Sequence, residues 1–525
     1  MKMTNKKTIS FSVKDVAKLA HLNLTPEELT TYSQQFQAIL GYIDQLGEVD
    51  TSGITPTFQT LDDTVNILRE DKITPGLSQE EALSSASKTY QGYFVADHVF
   101  NPSSSSFSRR QESIKSRQKQ DKHGAVLTKV DPKGTVGHKD LFCTKGIETT
   151  AGSQVLNGFI PQYSATLVEQ LEGLGFKTKY KLNQDAWGHG SSGENSDFFP
   201  TQNPWDTKRV AGGSSSGSAV AVATGDVELA TGTDTCGSVR MPSSYCNVTG
   251  LKPTYGALSR YGIIAFASSL DCPGLMSTSA TKLTQIFKSV SKKDPKDSTS
   301  QSPKREEISS KPIKTIGIPK EFFQSGLDPE VKKLTQAAIS QFEKEGYQIK
   351  EISLPNAHLA IAAYYIIAPV ETSSNLARFD GVRFGNTRSY FGDEAKRRIM
   401  LGTFASSAGY ADKYYEKAAQ VRTLIADDFK KVFQSVDVVL APISPTPPFL
   451  LGEKIDDPLK LYLMDIYTGP ASLSGLPSLA LPCGFAGKLP VGMQLIGPRW
   501  SDLSLLKLAE QYQELTTWHK EKPTK

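Results

Sequence analysis

Three residues of this chain have the types and the setting for acyl transfer without a histidine. Lys139 stands in Gly137-His138-Lys139-Asp140, and Ser214 in the run Gly212-Gly213-Ser214-Ser215-Ser216-Gly217-Ser218. Ser238 stands in Thr233-Asp234-Thr235-Cys236-Gly237-Ser238-Val239-Arg240. Ser214 follows Lys139 by 75 residues, and Ser238 follows Ser214 by 24. A serine hydroxyl is a poor nucleophile until a base takes its proton. Lysine is a base only when neutral, and a dry pocket favours that form because the ammonium group loses its hydration. Glycine beside each serine allows φ > 0 and lets several N–H groups converge on one oxygen. Acyl transfer needs such an oxyanion pocket. Two serines and a lysine so set suggest a hydroxyl nucleophile that needs no histidine, with the backbone at Thr235, Cys236 and Gly237 as the candidate oxyanion pocket. Asp234 and Arg240 brace the loop, with Asp271 as structural support.

Composition bounds the partners. The 525 residues carry 59 basic and 55 acidic side chains, a net charge of +4, too mild to argue for nucleic acid alone. No run of 18 apolar residues occurs, so a membrane span is not expected. The basic N-terminus is not followed by an apolar stretch, so a signal peptide is not expected either. Five cysteines, an odd count without CxxC, predict reduced thiols in the cytoplasm and neither a disulfide frame nor a zinc site. The seven histidines show no metal-ligand spacing and read as structural or exposed. No GxxxxGK[ST] loop occurs, so ATP is not expected on this chain.

The elements that must position these residues divide into three parts. Residues 1–100 read as a small helical module with an extended segment. Ser12 and Asp15 cap a first helix, and Thr25-Pro26-Glu27-Glu28 opens a second. That second helix carries an apolar stripe of Leu29, Tyr32, Phe36, Ile39, Leu40, Ile43 and Leu46. Ser78 and Glu81 restart a short helix beyond Pro75. The module has too few apolar residues for a private core and must pack on another surface. Residues 101–133, with Ser103-Ser104-Ser105-Ser106 and scattered Arg and Lys, read as a polar basic tether. From 134 onward, buried-strand candidates such as Val436–Leu440 and Val491–Ile496 alternate with amphipathic helices, which predicts an α/β fold.

From roughly 137 to 515 the chain resembles the amidase signature family. The likeness rests on the three motifs above and on Gly190-Ser191-Ser192, Glu194-Asn195-Ser196, Asn203-Pro204-Trp205-Asp206 and Gly250-Leu251-Lys252-Pro253-Thr254-Tyr255-Gly256. Ser259-Arg260-Tyr261-Gly262 and Phe266–Asp271 are similar to the A subunit of the aspartyl/glutamyl-tRNA(Asn/Gln) amidotransferases. The resemblance implies a large mixed β-sheet covered by helices over 134–525. It implies Lys139, Ser214 in a cis peptide and Ser238 as the catalytic set, with Gly190 and Ser191 at the substrate. It implies a relay in which neutral Lys139 would draw a proton from Ser214 and Ser214 one from Ser238, the nucleophile that would attack an amide carbon. Arg383 matches the arginine that would grip the α-carboxylate of glutamine, and Asp437 the carboxylate that would hold its amino group. Cys236 departs from the glycine usual in the family.

A second resemblance covers the N-terminal module. Val13–Leu46, Leu68-Arg69-Glu70-Asp71, Thr74-Pro75 and Gly92-Tyr93-Phe94 are similar to the small C subunit of the same enzymes. Together the two imply a natural C–A fusion that hydrolyses glutamine and passes ammonia to a B-subunit-like partner. That partner would bind misacylated tRNA, ATP and Mg and convert Glu-tRNA(Gln) or Asp-tRNA(Asn) to the amide. Two other readings stay open: a stand-alone amidase on another small amide, and a scaffold whose site has decayed through Cys236.

Overall fold

Local capping starts the N-terminal module. Ser12 Oγ accepts the N–H of Asp15 at 3.2 Å and opens helix α1, Val13–Leu19. Thr25 and Glu28 cap each other reciprocally and open helix α2, Pro26–Ile43. Ser78 and Glu81 repeat the arrangement ahead of helix α3, Gln79–Leu83. In this computed structural model, the described residues are 12–61, 68, 70–73, 75–84, 86, 88–95, 121–302, 312–324, 326–382 and 384–524. Arg69 and Thr74 of the small-subunit motifs lie outside them, as does the tether from 101 to 120.

The apolar face of α2 does not stand alone. Tyr32, Phe36, Ile39 and Ile43 are buried and join the same core as the rest of the chain. Polar contacts fix the seam: Lys396 pairs with Glu28 at 2.6 Å, and Arg397 Nε donates to Gln35 at 2.9 Å. Residues 49–60 then run extended across the helix Lys417–Val432. The Thr57 N–H donates to the Ala419 carbonyl at 3.0 Å, and Arg422 donates to the Phe58 carbonyl at 3.2 Å. The module thus clamps its own chain, a point the sequence left open.

Two short strands, β1 (Thr89–Tyr90) and β2 (Tyr93–Phe94), form an exposed hairpin. The main sheet holds eleven strands: β3 (Val126–Lys129), β4 (Val136–Lys139), β5 (Thr178–Leu182), β6 (Leu229–Asp234), β7 (Thr249–Lys252), β8 (Cys272–Ser277), β9 (Thr315–Pro319), β10 (Gln348–Ile352), β11 (Val438–Pro442), β12 (Ser478–Ala486) and β13 (Leu489–Ile496). Their order is β10-β9-β11-β13-β12-β7-β8-β6-β4-β5-β3. It is mixed: β4 runs parallel to β5 and β6, whereas β6, β8, β7, β12, β13 and β11 pair antiparallel in turn. Ten of its strands lie in the unit expected to begin at 134. The eleventh, β3, corrects that boundary. It pairs antiparallel with β5 inside the stretch read as tether, so the sheet begins before residue 134. Val126 and Leu127 are buried, but the flanking lysines of an edge strand masked them.

Two adjacent parallel strands position the chemistry. His138 of β4 lies opposite Thr231 of β6, so Lys139, the last residue of β4, stands two residues short of the end of β6 and its Nζ reaches on to Thr233. Sites in α/β sheets favour the carboxyl ends of strands. The loop after β6, which carries Ser238, turns directly into the helix Arg240–Cys246.

Candidate active site

Lys139 is fully buried, and its Nζ donates to Ser214 Oγ at 2.7 Å and to Thr233 Oγ1 at 2.8 Å. Burial drives its pKa down to about 7, against the pull of Asp185, Asp234 and Asp271. A neutral amine is therefore accessible near physiological pH. The Gly213–Ser214 peptide is cis. The Ser215 N–H donates to the Ser238 carbonyl at 3.1 Å, which ties the two serine loops together.

Asp234 anchors the loop that carries Ser238. Its carboxylate accepts the N–H of Gly237 at 2.7 Å and of Val239 at 3.2 Å, and Arg240 grips it twice, at 2.9 and 3.0 Å. Burial would raise this carboxyl, but the Arg240 guanidinium outweighs it and holds it at about 2. Arg240 reaches on to Gln494 of β13 and to Ser472. Bidentate charge-assisted bonds of this kind are strong and directional. Asp271 accepts the Thr235 hydroxyl at 2.9 Å and the N–H groups of Phe266 and Ala267. Both aspartates therefore brace the loop.

One member of the expected oxyanion trio is engaged elsewhere. The Gly237 N–H points into the loop toward Asp234, which leaves the N–H groups of Thr235, Cys236 and Ser238 as the candidates. Gly237 serves conformation instead: its φ is +139°, and a Cβ there would stand 2.5 Å from Thr468 Oγ1. Cys236 has no positive φ, so nothing in the backbone demands glycine at that position. Its thiol packs toward Gly469, and burial pushes its pKa well above the ordinary range. It is an inert, accommodated side chain.

Gly190 and Ser191 lie beside the loop of Ser214. The Ser191 carbonyl accepts the Gly213 N–H at 2.8 Å. Gly190 adopts φ +148°, and a Cβ there would collide with Asp185. Asp185 accepts the N–H groups of Asn195 at 2.8 Å and Gly193 at 3.1 Å, and burial raises it to about 7.

Asp437 is not at the site, and this corrects the expectation. Its carboxylate accepts the N–H groups of Lys314 at 2.8 Å and Thr315 at 2.9 Å, where it fastens β11 to β9. Arg383 lies outside the described residues. Two charged residues that sequence reasoning missed are buried here instead. Asp465 accepts the Ser191 hydroxyl at 2.5 Å, and burial pushes it up to about 7, with Ser191 and the Arg398 guanidinium pulling it back. Arg398 lies over the rings of Tyr365, Phe266 and Tyr462 at 4.9 to 5.5 Å and pairs with Glu394 at 2.7 Å. Its Nη1 is buried without a partner. The legible signals were a lone carboxylate in the apolar run Leu461–Tyr467 and a Glu394–Arg398 pair at i, i+4.

Known proteins share this architecture. The family described as Amidase matches residues 111–506, and that described as Glu-tRNAGln amidotransferase C subunit matches residues 24–95. The A subunit of the glutamyl-tRNA(Gln) amidotransferase from Thioalkalivibrio sulfidiphilus is 50% identical over 408 residues, 74% of this chain and 84% of that protein. Its counterpart from Myxococcus xanthus is 48% identical over 400 residues, 72% of this chain and 82% of that protein. The crystal structure of the corresponding A subunit from Thermotoga maritima superimposes with a TM-score of 0.67 at 38% identity, covering 78% of this chain and 91% of that one. The match over residues 111–506 and the A-subunit relatives place the chain among amide-cleaving enzymes. The chain belongs to the amidase family.

Proposed function

We propose that this chain is the glutamine-hydrolysing part of a tRNA-dependent amidotransferase, with A-like and C-like parts in one polypeptide. The observation that carries the reading is the dry 2.7 Å contact between Lys139 and Ser214, set beside the buried Asp465 and Arg398. Neutral Lys139 takes the proton of Ser214, and Ser214 takes that of Ser238 as Ser238 Oγ bonds to the carboxamide carbon. The N–H groups of Thr235, Cys236 and Ser238 hold the oxyanion. The relay then returns a proton to the leaving nitrogen, the C–N bond breaks and ammonia departs. Water adds to the acyl-enzyme by the same route and frees glutamate and Ser238. Arg398 meets the α-carboxylate of glutamine, and Asp465, ionised, meets its α-ammonium group. Arg383 remains a second candidate for the carboxylate.

The ammonia serves a B-subunit-like partner that binds Glu-tRNA(Gln) or Asp-tRNA(Asn) and holds the ATP and Mg that activate the acyl group. The names of the relatives support this, as does the match of residues 24–95 to the C subunit. Exposed Leu68, Ile73, Leu77, Tyr90 and Tyr93 on the module offer an apolar surface to such a partner. The names of those relatives support a place in the cytoplasm. Among the described residues no helix is long and apolar enough to cross a membrane. The test is ammonia release from glutamine with and without the partner. Release that vanishes in Ser238→Ala supports the reading. Turnover of other amides but not of glutamine favours a stand-alone amidase, and no turnover despite tight partner binding favours a scaffold.

A further inference from the structure

His189 is fully buried, and neither of its ring nitrogens has a hydrogen-bond partner. A buried donor or acceptor left unmet has lost its hydration with nothing in return. Such a side chain calls for a physical reason. Its surroundings supply one. The ring meets Phe266 edge-on at 4.6 Å, and the Arg398 guanidinium lies over that same Phe266 ring at 5.3 Å. The neighbours of His189 in sequence face the reaction centre. A Cβ on Gly188 would stand 3.7 Å from Ser214 Oγ, and Ser191 holds Asp465. His189 is thus flanked in sequence by residues that stand against Ser214 and Asp465, and it shares the Phe266 ring with Arg398.

Burial keeps the imidazole neutral, and the charge of Arg398 pushes the same way. A neutral ring offers one N–H donor and one lone-pair acceptor. An acceptor at this place distinguishes acyl groups. A primary carboxamide presents N–H donors, whereas an ester or a carboxylate presents only acceptors. A site built to bond a substrate N–H rejects the analogue that lacks it, because its own polar atom is then left unmet.

We propose that His189 is a specificity residue whose ring lone pair accepts an N–H of the substrate's side-chain carboxamide. The assignment rests on the glutaminase reading and adds the feature by which the site prefers an amide to the matching ester. No proton is transferred to the ring in this role.

The test compares glutamine with glutamate γ-methyl ester, which keeps the α-amino and α-carboxylate groups and lacks the amide N–H. Full-length wild type, His189→Met and His189→Gln are assayed for kcat/KM on both substrates, with the partner protein present and thermal melting recorded. His189→Met should lose about tenfold on glutamine and less than about threefold on the ester. His189→Gln, which keeps an acceptor, should retain the wild-type preference for the amide to within about threefold. Equal losses on both substrates, or no loss at all, would overturn the proposal. If His189→Met fails to fold, the Gln variant decides, since collapse of its amide-to-ester ratio also overturns it. A wild-type enzyme that turns over neither substrate sinks the glutaminase reading itself, and a failure confined to the variants does not.

Discussion

Asp465 accepts a 2.5 Å hydrogen bond from Ser191, and the Ser191 carbonyl accepts the N–H of Gly213, the residue before Ser214. A buried carboxyl that would hold the substrate is thereby wired to the backbone that presents the relay. Asp465→Asn keeps the shape and removes the charge. We expect a rise in KM for glutamine of about 10- to 100-fold, the scale of one lost hydrogen bond to a charged group, with a smaller change in kcat. Steady-state kinetics check this, and an unchanged KM would remove Asp465 from the substrate.

Two groups set the pH profile, and both act after losing a proton. Lys139 is driven by burial to about 7 and is a base only above that value. Asp465 is raised by burial to about 7 and is an anion only above it. Glutaminase kcat/KM should therefore rise from pH 5 to a plateau above roughly pH 8, steeper than one ionisation gives near its foot. Bound glutamine places an ammonium group beside Asp465 and lowers its pKa, so kcat should follow Lys139 alone, with a limb of unit slope. Lys139→Ala should lose about a hundred- to ten-thousand-fold in kcat, and a variant with wild-type turnover would end the relay mechanism.

The parts of this arrangement that were readable in sequence are local. The Thr25–Glu28 and Ser78–Glu81 caps depend on three-residue spacing, and the lysine and serines announce themselves through the glycines around them. Asp437 was misread because a carboxylate before a buried strand looks the same whether it faces a ligand or fastens two strands. Only the β9–β11 pairing distinguishes them. Arg398 and Asp465 were hidden for a related reason. Arg398 sits in Lys396-Arg397-Arg398, which reads as a solvated face, and its burial comes from Tyr365, Phe266 and Tyr462, distant in sequence. Arg397 and Lys396 are covered because α2 of the module lies over them.

The position of Cys236 bears on whether the site has decayed. Cys236→Gly should leave glutaminase kcat within about threefold of wild type, because the thiol packs away toward Gly469 and serves no step. The same change should lower stability by about 1–2 kcal/mol through lost packing and added backbone freedom. Gly237→Ala next to it should differ in its effect on activity. With φ at +139° and Thr468 Oγ1 2.5 Å from the new Cβ, it strains the loop that presents Ser238. Activity should collapse while denaturant unfolding shows a loss of about 1–3 kcal/mol. A large gain of activity in Cys236→Gly would instead mark cysteine as the cause of a weakened enzyme.

The clamp can be tested through Phe36. It is wholly buried on α2 and belongs to the core shared with the amidase unit. Phe36→Ala should cost about 3–5 kcal/mol of the free energy that holds the module down, the range for a large aromatic removed from a packed interior. Phe36 belongs to the module, which supplies none of the residues named at the site, so the first effect is expected on attachment and not on chemistry. Limited proteolysis between residues 50 and 60 should accelerate, because that segment is held by the bonds of Thr57 to Ala419 and of Phe58 to Arg422. Glutaminase activity of the intact variant should fall less than partner-dependent amidation of tRNA. Equal losses in both assays, with unchanged proteolysis, would show that the module is structural for the site and not a separable clamp.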